Sequence, residues 1–525
     1  MIRVSLSRAL RHGASALTVG LVAVPLLAMG AAAQAETLKV AATNLPTAFG
    51  NPYTGRGIPH VFTWGAIFNY PTFVNEKGGL DPQLFASWAN KDTLTWEFKI
   101  RPGVTFTNGE VFDAAAAKAT FDWLMSDAGK LTILGKDIQP LLSDVIVTDA
   151  MTLTLNTNKP APILPRQLVA TAMVAPKAWK DMGPEDFAKK PSGTGSYRIT
   201  EFKAGEALAE AYPNAWRKVT GDFDKLQIIA MPEGAARIAA LRSGQVHLDV
   251  ATNIDGIDEL KKAGFMIDTV PGPRTLGITL VSMKKTDPDP AKKSEPVKGP
   301  LADVRVRQAL NYAVNKDSIV ENIYKGQAKP VSQLSTSTAF GFNPNIKPYP
   351  YDPAMARKLL AEAGYPNGFP MEIRASQGNA TFDLVYQSAV QDLEKVGIKA
   401  KFVSQPFPEW LKYWTGGDWP YEGFGFGTDL TGILDAGRGF EFASCFKNPP
   451  YYCNDDEMKL FGATQVEFDS AKREKLLQEL LTVNAKNAPI VFLVEGAESM
   501  AYDPKITGFK QVNLVINYHE LKLKK

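Results

Sequence analysis

The amino-acid sequence predicts an α/β protein of two lobes, and three observations carry that reading. Leu226 to Ala230 is a largely apolar strand, Ala235 to Leu241 a helix stopped by Gly244, and Val246, Leu248 and Val250 alternate as a further strand, which makes one βαβ unit. Met371 to Ala375, a helix from Phe382 to Val396 ended by Gly397, and Ile398 to Val403 make a second unit. The chain of 525 residues is also longer than one hydrophobic core usually supports.

At the N-terminus, Arg3, Arg8 and Arg11 precede an apolar run from Ala14 to Met29, and Ala33-Gln34-Ala35 offers small residues for cleavage. This is the pattern of a secretory signal peptide over residues 1–35, with a mature chain expected from Glu36. Pro25 interrupts the run, which is short for a membrane span. The leader holds three arginines and no acid, so 58 basic residues fall to 55 against 55 acidic ones. A neutral mature chain gives no support to nucleic-acid binding or to an electrostatic membrane patch.

Leu38 to Ala42 reads as the first strand, followed by an irregular Gly- and Pro-rich stretch from Thr43 to Pro59. Leu94, Trp96, Phe98 and Ile100 alternate with Thr95, Glu97 and Lys99, the period of a half-buried strand. Arg101-Pro102-Gly103 then turns the chain, with glycine supplying a positive φ, and Val104 and Phe106 are expected to return as a short strand. Asp113 is placed to cap a helix carrying Ala117, Phe121, Leu124 and Met125 on one face.

Further on, Thr275 to Met283 reads as a strand and 284–300 as an exposed, charged loop. In the helix after Asp303, Leu310, Ala313 and Val314 are expected to face inward and Arg307, Gln308 and Asn311 outward, before a capping box of Ser318 and Glu321. Asp352 and Pro353 start another helix, Asp469 to Asn484 is amphipathic, and Ile490 to Val494 is a strand. Trp410, Trp414, Trp419, Tyr421, Phe424 and Phe426 are interleaved with glycines, which lets rings and backbone border a cavity. Cys445 and Cys453 are the only cysteines, and in an exported protein a disulfide between them is favoured over a metal site.

The run Trp96-Glu97-Phe98-Lys99-Ile100-Arg101-Pro102-Gly103-Val104-Thr105-Phe106-Thr107-Asn108-Gly109 resembles the signature of the family 5 extracellular solute-binding proteins, the dipeptide, oligopeptide, opine and nickel receptors of ABC importers. Asp303 to Lys316 and Tyr351-Asp352-Pro353 resemble the same family, as do Arg237, Gly244 and Asp249. Pro191-Ser192-Gly193-Thr194-Gly195-Ser196-Tyr197 is similar to its Pro-x-Gly-Thr-Gly-Pro-Tyr turn, with serine at 196; its glycines permit positive φ and close backbone passage.

The resemblance implies a two-lobed periplasmic binding protein fold of type II, large peptide-receptor class. In that fold, 36–63, 187–277 and 497–525 form lobe I, 64–186 a subdomain inserted in it, and 278–496 lobe II across a hinge. Leu84 to Trp88 is then a short helical approach to the signature.

For function, the resemblance implies a periplasmic, monomeric receptor with no cofactor or metal, working with an inner-membrane ABC permease. The loop after the first strand borders the ligand cleft, which makes Thr43, Asn44 and Tyr53 candidates. Gly425-Phe426-Gly427-Thr428-Asp429 lines up with the segment that supplies a tryptophan, backbone groups and an aspartate for a peptide's α-amino group. Asp429 is the main expected contact, with Phe426 and Trp419 on the ligand body and Gly427 and Thr428 beside it. Leu430 to Asp435 departs from the acidic, proline-containing run of peptide receptors, so an opine or oligosaccharide stands beside a peptide-like solute. Few histidines argue against nickel or haem.

A periplasmic hydrolase is the competing class. After the leader only His60, His247 and His519 are present, with no His-Glu-x-x-His, Gly-x-Ser-x-Gly or Walker loop. Ser282 with Lys285, and Ser444 with Lys447, fit Ser-x-x-Lys, a two-residue pattern that chance supplies in a long chain.

Overall fold

Strand β1 (Thr37–Ala42) buries Leu38, Val40, Ala41 and Ala42 and sits between two parallel neighbours. It opens the chain in the computed structural model, which describes residues 36–524 apart from 56, 286–292, 378 and 430–432, with backbone alone at 427–429. The signal peptide expected at 1–35 lies outside the described residues, as does the middle of the 284–300 loop.

Next comes a four-stranded antiparallel sheet made by β2 (Phe85–Asp92), β3 (Thr95–Ile100), β4 (Leu142–Asp149) and β5 (Thr152–Thr157), in the order β2-β3-β5-β4. The expected helical approach at Leu84–Trp88 is instead the start of β2, because its backbone pairs with β3, Trp88 opposite Phe98. With β2 on one edge of β3 and β5 on the other, no edge remains for a strand returning through Val104 and Phe106. Those two side chains are fully buried in a tight loop, joined only by a Thr105–Val111 bridge. Gly103 has φ 74°, as its turn requires. Helix α1 (Ala114–Met125) follows, and Asp113 Oδ1 accepts from Ala116 N at 2.8 Å as its cap.

Gly193 is needed for close approach: a Cβ there would lie 2.1 Å from the Ile67 carbonyl oxygen, and its φ is not positive. From there β6 (Tyr197–Lys203), β7 (Glu206–Ala211), β8 (Lys225–Ala230), helix α2 (Gly234–Arg242) and β9 (Leu248–Asp249) complete the first lobe's share of a large sheet. β8 and β9 both pair parallel to β1, so the expected βαβ unit spans it. Arg237 and Asp249 meet inside this unit as a buried ion pair, Nε to Oδ1 at 2.9 Å.

Strand β10 (Met266–Leu280) leaves the first lobe and enters the second. There, helix α3 (Val304–Ala313) is followed by β11 (Pro370–Ser376), α4 (Ala380–Glu394), β12 (Lys399–Gln405), α5 (Phe407–Gly416), β13 (Gly423–Asp429), α6 (Ala436–Phe442) and α7 (Ser470–Asn487). β14 (Ile490–Tyr502) returns antiparallel to β10, with breaks in register between Pro271 and Thr275 and between Leu276 and Gly277. The strand order is β12-β11-β13-β10-β14-β9-β1-β8-β7-β6, so one sheet runs through both lobes of this α/β protein.

Two expectations about α3 and its neighbour are corrected. Arg307 and Asn311 face inward: Asn311 is fully buried, donating to Ile490 O and accepting from Phe492 N, while Arg307 donates to the carbonyls of Leu301, Ala302 and Asn487. The paired amide of Asn311 and the paired Nε and Nη1 of Arg307 make this burial tolerable. The helix Lys316–Asn322 is capped by Asn315, whose Oδ1 accepts from Ser318 N, so Ser318 lies inside the helix. Cys445 and Cys453 are joined by a disulfide.

Candidate ligand cleft

The glycine-phenylalanine alternation of β13 gives the strand two unlike faces. On one, a Cβ at Gly425 would lie 2.6 Å from the Tyr386 ring of α4, so only glycine lets the helix seat there. On the other, Phe424 and Phe426 meet α5. Phe426 is half-buried and its ring lies nearly parallel to Trp410 at 6.0 Å and to Trp414 at 5.9 Å, with Phe442 of α6 at 5.4 Å. Trp419 is fully buried behind this stack, packed on Phe424 at 4.9 Å and donating from Nε1 to Gly423 O at 3.2 Å. It braces the strand from within its lobe.

β10 pairs with β13 along its whole length, from Leu280 opposite Gly423 to Arg274 opposite Asp429. β11 reaches the other edge only at Gly423 and Phe424. From Gly425 to Asp429 that edge has no strand neighbour among the described residues. Gly427, Thr428 and Asp429 thus stand in one extended row, though their side chains lie outside the described residues.

Just past β13 the chain meets the first lobe. Arg166, buried, donates from Nη1 to Ile433 O at 3.1 Å and Leu434 O at 3.3 Å, and from Nη2 to Gly78 O at 2.6 Å. Val74 and Val169 of the first lobe pack beside Ala339 and Leu434 of the second. Asp435, fully buried, caps α6 through Gly437 N and takes both Nη groups of Arg473 at 2.7 and 3.0 Å. Between the lobes lies a cavity of about 260 Å³, with Lys136, Lys159 and Gln167 on one side and Arg438 and Glu441 on the other. Burial pushes the Glu441 carboxyl up, against the pull of Arg438 at 2.6 Å.

The remaining expected residues belong to the first lobe. Tyr53 is fully enclosed in the first lobe, its ring 5.1 Å from Trp123 and 5.0 Å from Trp179, and burial raises its phenol well above the ordinary value. Its aromatic neighbours all come from its own lobe, so it offers no surface between the two. Asn44 is exposed on the loop after β1. Arg166, Asp435 and Arg473 were missed, although Arg166 is a lone charge in the apolar run Ala161–Val169.

Neither Ser-x-x-Lys pair forms a hydrogen bond within itself. Ser282 Oγ donates to Tyr451 O and Ser444 Oγ to Glu441 O. Burial lowers the Lys447 ammonium to about 8, but its Nζ donates to Pro449 O and lies over the Trp414 and Tyr451 rings. Among the described residues no three His, Cys, Asp or Glu stand together as metal ligands, and no helix is long and apolar enough to cross a membrane.

Residues 79–433 match the profile of the bacterial extracellular solute-binding proteins, family 5 middle. The glutathione-binding protein GsiB of Pectobacterium atrosepticum is 28% identical over 315 residues, which is 59% of this chain and 58% of that relative's length. The chain thus spans somewhat over half of that relative. Heme-binding protein A of Haemophilus influenzae is 27% identical over 478 residues, 83% of each chain. Among solved structures, the periplasmic binding protein DppA of Helicobacter pylori, in complex with the peptide STSA, gives a TM-score of 0.72 at 22% identity, covering 93% of this chain and 98% of that one. HbpA2 of Haemophilus parasuis gives 0.80 at 21% identity, covering 93% and 100%.

Proposed function

This chain belongs to the bacterial extracellular solute-binding proteins of family 5, and on that premise we propose that it is the periplasmic receptor of an ABC importer. It captures a peptide-like solute between its lobes and hands it to an inner-membrane permease. The observation that carries the reading is the edge of β13 from Gly425 to Asp429, which has no strand partner among the described residues, beside the contact between the lobes. An extended ligand adds to such an edge as a further strand, taking main-chain hydrogen bonds from it.

In this reading Asp429 pairs with the ligand's ammonium group, Phe426 packs on its body, and Gly427 and Thr428 lend backbone groups. Asn44 reaches in from the opposite loop. Trp419 braces the site from inside its lobe, while Tyr53, enclosed between Trp123 and Trp179, stays out of ligand contact. The lobes are 36–63 with 187–277 and 497–525, carrying 64–186 as an insertion, and 278–496; they close about β10 and β14 because the ligand binds the closed form better. A relative named for glutathione and a neighbour that holds a short peptide support a peptide-like solute over an opine or sugar.

Mass spectrometry of small molecules released by denaturing the purified protein tests the solute class. Recovered peptides, followed by calorimetry showing a loss of roughly 30-fold in affinity for Asp429→Asn, are the expected result. Unchanged affinity in that variant removes the amine role. An opine or sugar keeps the receptor role and replaces the solute, whereas a protein that holds nothing and shows no thermal shift with any of the three classes sinks the proposal.

A further inference from the structure

A second cavity, of about 460 Å³, lies in the first lobe between the segment around Asn69 and Gln83, the loop around Arg217, and the C-terminal stretch near Val515. No residue between 278 and 496 lines it, so it is separate from the interlobe cleft.

Two amides in its polar wall are fixed in place. Gln83 is 4% exposed, and its Oε1 accepts from Tyr70 N at 2.6 Å. Asn69 is 6% exposed, and its Oδ1 accepts from Trp216 Nε1 at 2.8 Å and Thr194 Oγ1 at 3.3 Å. Because each carboxamide oxygen faces N–H or O–H donors, neither amide can flip, and each NH₂ group is left pointing away from those partners. Among the described residues neither nitrogen donates to a protein group, and neither is sealed from solvent, so both open onto the cavity their side chains line.

Arg217 completes the set. Its guanidinium lies over one side of the Trp216 ring at 4.5 Å, with Arg101 at 4.8 Å from the same ring, and it has no hydrogen bond or ion pair among the described residues. Burial and Arg101 both disfavour its charge, opposed by Glu520. Glu520 is held at the rim by Asn517 Nδ2 at 2.7 Å, and Lys510 is paired with Glu76. Burial depresses His519, so it adds no positive charge near neutral pH. Phe73 and Val515, half-buried, supply apolar surface.

A cationic fork and two amide donors with no partner, beside apolar walls, match a carboxylate on an apolar body. We propose that this cavity is a second ligand site that takes an organic carboxylate, its oxygens on Arg217, Asn69 Nδ2 and Gln83 Nε2 and its apolar part against Phe73 and Val515.

The test uses the whole exported protein with benzoate and its neutral analogue benzamide, and crystals soaked in 4-bromobenzoate. Anomalous bromine density in this cavity is expected, with saturable benzoate binding that weakens at least tenfold in Arg217→Ala and in Gln83→Glu. The second variant keeps the acceptor for Tyr70 N while replacing a donor by a negative charge, so it tests the site without removing that structural bond. Benzamide binding as tightly as benzoate, bromine only elsewhere, or unchanged affinity in both variants overturns the proposal. These outcomes do not depend on which solute the interlobe cleft holds.

Discussion

Arg237 and Arg166 are both buried and both donate mainly to backbone carbonyls, yet they join different things. Arg237 lies inside one lobe, where Asp249 meets its charge and the Met231, Pro232 and Ala251 carbonyls with Asn253 Oδ1 take its remaining hydrogens. Arg166 lies between the lobes with carbonyls as its partners, since Asp435, the nearby carboxylate, is held by Arg473. Within a lobe, losing the arginine strands a buried carboxylate that no motion can rehydrate. Between lobes, separation lets water replace each lost hydrogen bond, so the same residue type acts on an equilibrium between open and closed forms rather than on folding.

The sharpest way to break this contrast is Arg237→Ala. Burial already raises the Asp249 carboxyl, and removing its partner should cost about 3–5 kcal/mol of unfolding free energy in a urea titration. A loss below about 1 kcal/mol would mean that lobe I tolerates the unpaired charge and that the contrast fails. Cys445→Ser with Cys453→Ser removes a staple within lobe II that closes a loop with a sequence separation of 8. About 2–3 kcal/mol should go from the same titration, with no change in the ligand-induced compaction seen by solution scattering. Disturbed compaction would place the staple in the closing movement.

Arg166→Ala should lower solute affinity about tenfold, or roughly 1.4 kcal/mol, by calorimetry, and enlarge the radius of gyration of the unliganded protein. The unfolding free energy should move by less than about 1 kcal/mol, because the carbonyls it leaves can reach water. A large stability loss with unchanged affinity would put Arg166 in the class of Arg237. The smallest effect is expected at exposed Asn44, where alanine should weaken binding by about two- to tenfold, the range of one neutral hydrogen bond.

The α/β lobes were readable because β1 and β8 are mostly apolar, β11 alternates Met371, Ile373 and Ala375 with charged residues, and helices elsewhere carry caps such as Asp113 and Asp352. Periodicity misled where a neighbour decided the outcome. Leu84–Trp88 became strand because β3 had an edge to fill, and Arg307 and Asn311 turned inward because they satisfy carbonyls and a strand break on β14. Of the cleft, the row Phe426 to Asp429 was legible as a segment. Arg166 was not, since its partners are carbonyls 88 to 268 residues away, and a carbonyl has no letter in a sequence. Trp419 shows the reverse: an aromatic among glycines suggested a ligand platform, and the fold encloses it.

β10 and β14 lie side by side where the chain passes between lobes, with Leu276 directly opposite Val494. Everything between those two residues therefore enters and leaves through one narrow neck, while the strands before and after it belong to the first lobe. The second lobe is topologically a cassette: both of its chain connections to the first lobe run side by side through this neck.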